Sequence, residues 1–368
     1  MKPDIIMKLY DLLLDTADTG SRLQDWGTGR MPSGHNGPWN NIDTSVRNSS
    51  HWTIVFLTAY EYADDERYYE AAKRCVEFLL SDIARPSGHT FQHRKDGPDR
   101  CNGLIGQAWT LEALIYASKF FDRERILSIA EDVFLLHPYD SKTGMWHSVD
   151  VDGTVGQVHS TFNQQIWFAA VGAKLKETNE TIDTRVRGFL DELVKNIRVK
   201  ENGLIVHNSY PHEGYPKFRY DVKNVFSKRL RQRRNELAIG YHSFNLYGMG
   251  LLYNELPDHS FWDTDEFQAA LTYPDTTEFL NRAKDNQYCF GYNPTGFELA
   301  FADEVFPQAD YPSREWIERQ LSLTYDPIDK LMKEGPDQST LISRFYEASR
   351  LSNIELDEAM LQTAGGAR

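Results

Sequence analysis

The residues best suited to chemistry sit at the starts of four apolar segments. Arg47-Asn48-Ser49-Ser50-His51-Trp52 opens the first of them. There His51 offers a general acid or base, and Arg47 offers a two-pronged grip on a carboxylate. Ser49 or Ser50 reads as the helix cap. The other three are Asn102 with Gln107 and Trp109, Asn163-Gln164 with Trp167, and Tyr241-His242 with Asn245. A sugar site needs such a mixture, because ring faces stack on Trp and Tyr while amides match hydroxyls. The same residues equally suit loop capping and core filling.

Two further groups carry acids. Met145-Trp146-His147-Ser148-Val149-Asp150, with Asp152 and His159 close by, places a carboxylate beside an indole. Such an Asp can act as an acid with a raised pKa, or simply start the turn Asp150-Val151-Asp152-Gly153. Glu298 opens an otherwise apolar segment, as a helix-terminal charge or as a second acid of a cavity. No phosphate-loop, nucleophile-elbow, zincin or paired-cysteine pattern occurs. His89 and His93 lie among Gly and Pro, which predicts a loop. No metal site and no cofactor are expected.

Helical pairs must position these groups. Ser50 to Asp82 reads as two amphipathic helices around the polar break Ala63-Asp64-Asp65-Glu66. Gly103 to Leu136 and Thr161 to Ile197 repeat the plan. Glu236 to Asn254 starts a fourth pair, and Phe297 to Val305 with Ser313 to Leu323 make a fifth. Helices over Pro3 to Thr19 and Ser339 to Ser352 complete the set. The first member of each pair is apolar and aromatic, and the second is charged on one face. That asymmetry predicts a buried inner ring and a solvated outer ring. Loops before first helices are long (Gly34 to Ser50, Gly88 to Asn102, Gly144 to Ser160, Asn202 to Arg234), whereas links within pairs are short. Such a toroid collects its long loops at one end, the natural place for a small-molecule site. Gly144 to Val149 and Gly203 to His207 read as small β-hairpin arms there.

The 368 residues carry a net charge of −14, with 40% hydrophobic and 13% aromatic residues. The charge argues against nucleic-acid binding. No apolar run reaches the ~18 residues of a membrane span, and no signal peptide is legible. Three scattered cysteines suggest no disulfide framework, which points to the cytoplasm. Against the acidic background, Lys217 to Arg234 holds eight Lys/Arg in eighteen residues. This run suits an anionic substrate, a lipid-phosphate surface or a glycosyltransferase partner. No linker divides the chain, so residues 1–368 are expected to form one domain, with Gln362 to Arg368 frayed.

The segments HWTIVFLTAYEYADDERYYEAAKRCVEFLL and GLIGQAWTLEALIYASKFF resemble hairpins of the (α/α)6 toroid carbohydrate enzymes. These include unsaturated glucuronyl hydrolases, N-acylglucosamine 2-epimerase-type enzymes and glucuronyl C5-epimerases. GHNGPWNNIDTSVRNSSHW, with CNGLIGQAW and STFNQQIWFAA, is similar to a family found with archaeal N-glycosylation genes, regarded as hexuronic-acid isomerases or epimerases. The resemblance implies an all-α six-hairpin toroid acting on a free, activated or lipid-linked uronic acid. His51 and His242 are then the expected acid/base pair. Arg47 holds the carboxylate, and Trp52, Trp109 and Trp167 stack on the sugar. A glycoside hydrolase or lyase using Asp150 or Glu298, and a non-catalytic glycan-binding scaffold, are the alternatives.

Overall fold

The structure is a computed structural model that describes residues 6–209 and 228–357. A short strand β1 (Ile6–Lys8) leads into helix α1 (Leu9–Leu23). Then come α2 (Val46–Ala63) and α3 (Glu66–Leu79), followed by α4 (Gly103–Ala117) and α5 (Arg123–Leu136). A three-stranded antiparallel sheet follows: β2 (Tyr139–Asp140), β3 (Met145–Val149) and β4 (Val155–Val158). Next are α6 (Phe162–Ala173), α7 (Glu180–Asn196), α8 (Lys228–Gly240) and α9 (His242–Glu255). After these lie α10 (Asp265–Thr272), α11 (Thr277–Lys284), α12 (Thr295–Val305) and α13 (Ser313–Thr324). The chain closes with a hairpin, β5 (Tyr325–Asp326) and β6 (Leu331–Met332), and helix α14 (Gln338–Ser343). α14 tightens into a 3-10 helix over Arg344–Arg350, and strand β7 (Glu355–Asp357) follows.

Six inner segments close a ring. α2 packs on α4, α4 on α6, α6 on α9, α9 on α12, α12 on the 3-10 segment, and that segment on α2. The outer helices shield them, so the architecture is the six-hairpin toroid. Every residue of α2 from Val46 to Ala59 is buried, and so are thirteen of the fifteen in α4, counted along its span. The outer helices bury one stripe each. In α3 the stripe is Tyr68, Ala71, Ala72, Cys75, Val76, Phe78 and Leu79. Outer helices also carry their own start signals. Asp65 and Asn179 cap α3 and α7, and acids occupy the first turns of both.

Both helices expected at the chain's ends are present, and the structure pairs them as the sixth hairpin. Its inner member is Gln338–Arg350, and its outer member is α1, more than 300 positions away. β1 pairs antiparallel with β7, Met7 opposite Leu356, and the Tyr10 hydroxyl donates to Ser349 O and Leu351 O. The expected N-terminal helix therefore starts at Leu9; Pro3 to Ile5 lie outside the described residues. Three other expectations shift. α2 begins at Val46, so Ser50 is no cap; its hydroxyl bonds back to Val46 O. The fourth pair is preceded by a separate α8, which breaks at Tyr241. The Gly203 to His207 arm is reduced to one bridge, Val199 to Ile205. The tail Gln362 to Arg368 and the part of the basic run before Lys228 lie outside the described residues.

Candidate functional site

The inner helices run parallel. The starts of α4, α6 and α9, and the residues just before α12, line one cavity of about 230 Å³ at the loop end. Their far ends line a second cavity, of about 510 Å³, at the other end of the axis. The first-turn charges differ sharply between rings. α2, α4, α6 and α9 have no acid in their first turns, and among these inner helices only α12 carries one, Glu298. Among the outer helices α3, α5, α7, α10, α11 and α13, each carries at least one acid there. Each uncompensated N-terminus contributes roughly half a positive charge, so the loop-end cavity lies where a positive field converges.

Aromatic rings and amides form the cavity walls. Trp39, Trp109, Tyr241, Phe244 and Tyr292 supply the rings, and Asn36, Asn102, Asn163, Gln164 and Asn293 the amides. Arg94, His159 and His207 complete the polar lining, and no Asp or Glu occurs among the described lining residues. Burial pushes the His207 imidazole down to about 4, with His159 adding to the shift, and burial also lowers His159. Both are therefore neutral at neutral pH. Local pairing brings them together: Thr161 bridges Asn208, and Phe162 N donates to His207 O at 2.9 Å. His207 Nδ1 is buried without a protein partner among the described residues, and its ring packs 4.8 Å from Tyr241.

Long-range bonds hold the walls in place. Asp337 Oδ2 accepts from His35 N and Gly37 N, fixing the turn that aims Asn36 inward. Asn36 Oδ1 accepts from Arg47 Nη1 at 2.6 Å and from the Tyr292 hydroxyl at 2.9 Å. Gly37 has φ +52°, and a Cβ there would lie 2.4 Å from Tyr292 Cδ2, so only glycine lets the turn approach that ring. Trp39 Nε1 donates to the Tyr241 hydroxyl at 2.9 Å. Gln164 Oε1 accepts from Leu104 N and Ile105 N, capping α4 from the neighbouring helix. Asn102 accepts from Arg94, which also pairs with Asp99 at 2.8 Å.

The structure separates the residues singled out in the sequence. Asn102, Trp109, Asn163, Gln164 and Tyr241 line the cavity. Arg47, His51 and Asn245 lie beneath its floor. Arg47 stacks over Trp109 at 4.3 Å and pairs with Asp43 at 3.6 Å. His51 stacks on Tyr346 at 4.3 Å and bonds Ser343 Oγ through Nδ1 at 3.2 Å. Burial, then the Arg47 and Arg344 charges, hold it well below the usual histidine range. His51 Nε2, Arg47 Nε and Nη2, both Asn245 amide atoms and the Tyr346 hydroxyl are buried without a protein partner among the described residues. Buried polar groups are normally satisfied, so this layer holds unused hydrogen-bonding capacity beside the cavity.

The remaining candidates serve other purposes. His242 does not face His51 across a cavity. Tyr241, at the break before α9, lines the cavity, and the next residue turns to the outer helices. His242 Nε2 bonds Ala270 O at 2.9 Å, and Nδ1 accepts from Ile205 N. Trp52 packs on Phe56 and on Gly20 of α1, away from the cavity. Trp167 is stacked between Phe244 and Tyr247. Trp146 sits among Phe134, Phe168, Phe189 and Tyr139. Gln107 ties the backbone of Phe91 and Cys101, Asn48 holds Pro32 O, and His147 pins Gly156 O across β3 and β4. Asp150 starts the expected turn, with Gly153 N on its carbonyl, and its Oδ1 accepts from Cys101 N. It lies close to Asp99 and Cys101 in a neighbouring pocket of about 460 Å³ that His159 also lines, where hydrogen bonds link the cluster. Glu298 is fully buried between Arg344 and Ser243.

Asn36, Trp39, Arg94, His207 and Phe244 line the cavity without having been singled out, while His159 entered only as a neighbour of Asp150, and Tyr292 and Asn293 only in the segment leading to Glu298. The signal lay in the loops. Asn36, Trp39, Arg94, His159 and His207 all belong to the long segments that precede first helices.

No protein-family model matches the chain. Archaeal glycosylation protein Q of Haloferax volcanii is 43% identical over 366 residues, covering 95% of this chain and 98% of the relative. Among solved structures, cellobiose 2-epimerase from Bacillus thermoamylovorans has a TM-score of 0.63 at 10% identity, covering 93% of this chain and 98% of its own. Unsaturated glucuronyl hydrolase from Bacillus sp. GL1 has a TM-score of 0.59 at 12% identity, covering 93% and 94%. At such identities these two establish the toroid fold alone. By its likeness to the Haloferax protein over nearly its whole length, the chain belongs to the family of archaeal glycosylation protein Q.

Proposed function

We propose that the loop-end cavity is the active site of a sugar-modifying enzyme of glycan assembly, which isomerises or epimerises a hexuronic acid by proton transfer. The observation that carries this reading is the lining itself: two neutral imidazoles, an arginine, amides and aromatic rings, with no carboxylate among the described residues. Glycoside hydrolysis ordinarily needs a pair of carboxylates at the bond. Proton abstraction beside a carboxylate or carbonyl needs a neutral base, which either imidazole supplies, and a nearby acid, which the other becomes by taking up a proton from solvent when the substrate carboxylate binds beside it.

The inner-helix N-termini and Arg94 receive the carboxylate. That negative charge also raises the neighbouring imidazoles toward working pH, so substrate binding tunes its own catalyst. One histidine takes the proton from the carbon next to the carbonyl or carboxylate. The other returns a proton to the opposite face, inverting the centre, or to the adjoining position, giving the isomer. A cavity of about 230 Å³, below the roughly 300–1,000 Å³ of drug-sized sites, suits a single sugar ring.

The test is NMR of free, nucleotide-linked and oligosaccharide uronic acids in D₂O with the purified protein. The reading expects deuterium at a sugar carbon together with a new stereoisomer or ketose. His159→Asn and His207→Asn should each slow exchange by roughly 10²–10⁴-fold, while Asp150→Asn leaves it unchanged. New reducing ends without ring deuterium would establish a hydrolase instead. Saturable binding with no change in any sugar would establish a glycan-binding protein.

A further inference from the structure

The second cavity, at the far ends of the inner helices, has no part in the chemistry above. At about 510 Å³ it is the larger of the two, within the roughly 300–1,000 Å³ of small-molecule sites. Its walls are mostly polar, with Ile115, Leu127, Leu251 and Phe301 supplying the apolar part. Lys119, Arg123, Lys174 and Arg350 line it against two acids, Glu112 and Glu255. In a chain whose net charge is −14, that balance is reversed.

Part of this positive charge serves the fold. Helix C-termini carry partial negative charge, which cations offset. Lys176 does so directly, since its Nζ donates to Glu255 O at 2.6 Å and to Glu255 Oε2 at 2.9 Å. Arg350, at the end of the 3-10 segment, donates to the Tyr247 hydroxyl at 2.7 Å and lies 2.7 Å from Glu112 Oε1. Lys174 has no such duty. It directly follows α6, yet its Nζ makes no hydrogen bond among the described residues, and Glu255 Oε1 is 3.7 Å away. Burial lowers this amine from its usual value, and the Glu112 and Glu255 charges oppose that only in part. The Glu112 carboxylate has the opposite demand. It is 2% exposed, and apart from the Arg350 ion pair neither oxygen has a partner among the described residues. Glu112 and Lys174 thus line one cavity, an unused acceptor and an unused donor.

Buried polar groups are normally satisfied. A ligand that satisfies both of these must accept from an amine and donate to a carboxylate. An anionic group does the first and a hydroxyl does the second. We propose that the far-end cavity is a second binding site, for a small hydroxylated anion such as an acidic sugar, whose carboxylate or phosphate pairs with Lys174 and whose hydroxyls donate to Glu112. The exposed cations Lys119 and Arg123 favour entry of the anion, and Leu251 and Phe301 pack against its carbon skeleton. A neutral sugar leaves Lys174 without a counter-charge, and a bare phosphate leaves Glu112 without a donor.

The experiment is calorimetry of the full chain with glucose 6-phosphate and with gluconate, against glucose and inorganic phosphate as controls. The hydroxylated anions should bind roughly tenfold or more tightly than either control, and the tighter of the two names the headgroup. Lys174→Met removes a charge-assisted bond and should weaken this binding by roughly 10–100-fold. His207→Asn, at the loop end, should keep it. Hydrogen exchange of the wild type locates the ligand without any variant, with protection expected over residues 112–123 and 250–255. Failure of both anions to bind leaves the two groups to water and overturns the proposal. So does inorganic phosphate or glucose binding as tightly as glucose 6-phosphate. Binding that survives Lys174→Met but not His207→Asn, or protection confined to the loop end, overturns it as well.

Discussion

Replacing Glu298 and Arg344 separates a structural buried charge from a catalytic one. Arg344 Nη2 lies 3.2 Å from Glu298 Oε1 and 2.5 Å from Glu347 Oε1, with all three side chains at most 1% exposed. Two carboxylates share one guanidinium where water cannot screen them. Burial, reinforced by the Glu347 charge, drives the Glu298 carboxyl well above its usual range, while Arg344 and the Ser243 hydroxyl only partly oppose this. Burial raises Glu347 as well, to about 7, against the opposing Arg344 and Arg350 charges, so the two carboxyls compete for one guanidinium and Glu298 is the readier to hold a proton. Glu298→Gln reproduces the protonated form in shape and charge, so it should cost under about 1 kcal/mol. Arg344→Met strands a buried carboxylate and should cost about 3–5 kcal/mol, a large share of a stability of about 5–15 kcal/mol. Urea unfolding followed by tryptophan fluorescence reads both. Deuterium exchange into the sugar reads activity, which Glu298→Gln should leave intact. Equal destabilisation by the two substitutions would show that Glu298 is ionised. A folded Glu298→Gln protein without activity would make Glu298 a working acid and refute the assignment.

Acid should unfold the protein early. Burial lowers His137 and His242 to about 4, and His93 to about 3, from a usual 6.5. Because the folded state resists protonation, their contribution is whole above pH 6.5 and is lost as pH falls from there toward 4. At pH 5 each costs about 2 kcal/mol and the three about 6 kcal/mol. Urea midpoints at pH 7 and 5 check this, and His242→Gln should flatten the slope; equal midpoints would contradict it. Gln164→Ala leaves Leu104 N and Ile105 N uncapped and should cost about 1–2 kcal/mol. The assay is urea unfolding, with faster hydrogen exchange at the first turn of α4; an unchanged midpoint would remove the cap from the account.

Much of the ring was legible because burial has a local signature. Inner helices such as α4 are apolar all round, and outer ones such as α3 are apolar on one stripe. Either pattern is readable within a few turns. The end of the ring where the aromatic and amide-lined cavity opens was legible as well, since long loops precede inner helices. Which side chain faces the cavity was not. Tyr241 and His242 are neighbours in sequence, yet the break between α8 and α9 sends one to the cavity and the other to the outer ring. Helix starts drew attention because their composition is conspicuous, while the loop residues Asn36, Arg94, His159 and His207 had no period to betray them.

The sequence by itself determined the helical hairpins, the split between buried and solvated members and the gathering of the long loops at one end, where the first cavity opens. These follow from side-chain polarity repeating along the chain. Only the tertiary structure decided that α1 shields the last inner segment, that His159 meets His207, and that Asn36 is aimed inward. Those depend on β1 pairing with β7, on Thr161 bridging Asn208, and on Asp337 bonding His35 and Gly37. The first two are hydrogen bonds between backbone segments far apart in sequence, with donors and acceptors common to nearly every residue, and the third sets one side-chain carboxylate on backbone N–H groups about 300 positions away. Periodicity cannot encode such a partner; closing the ring selects it.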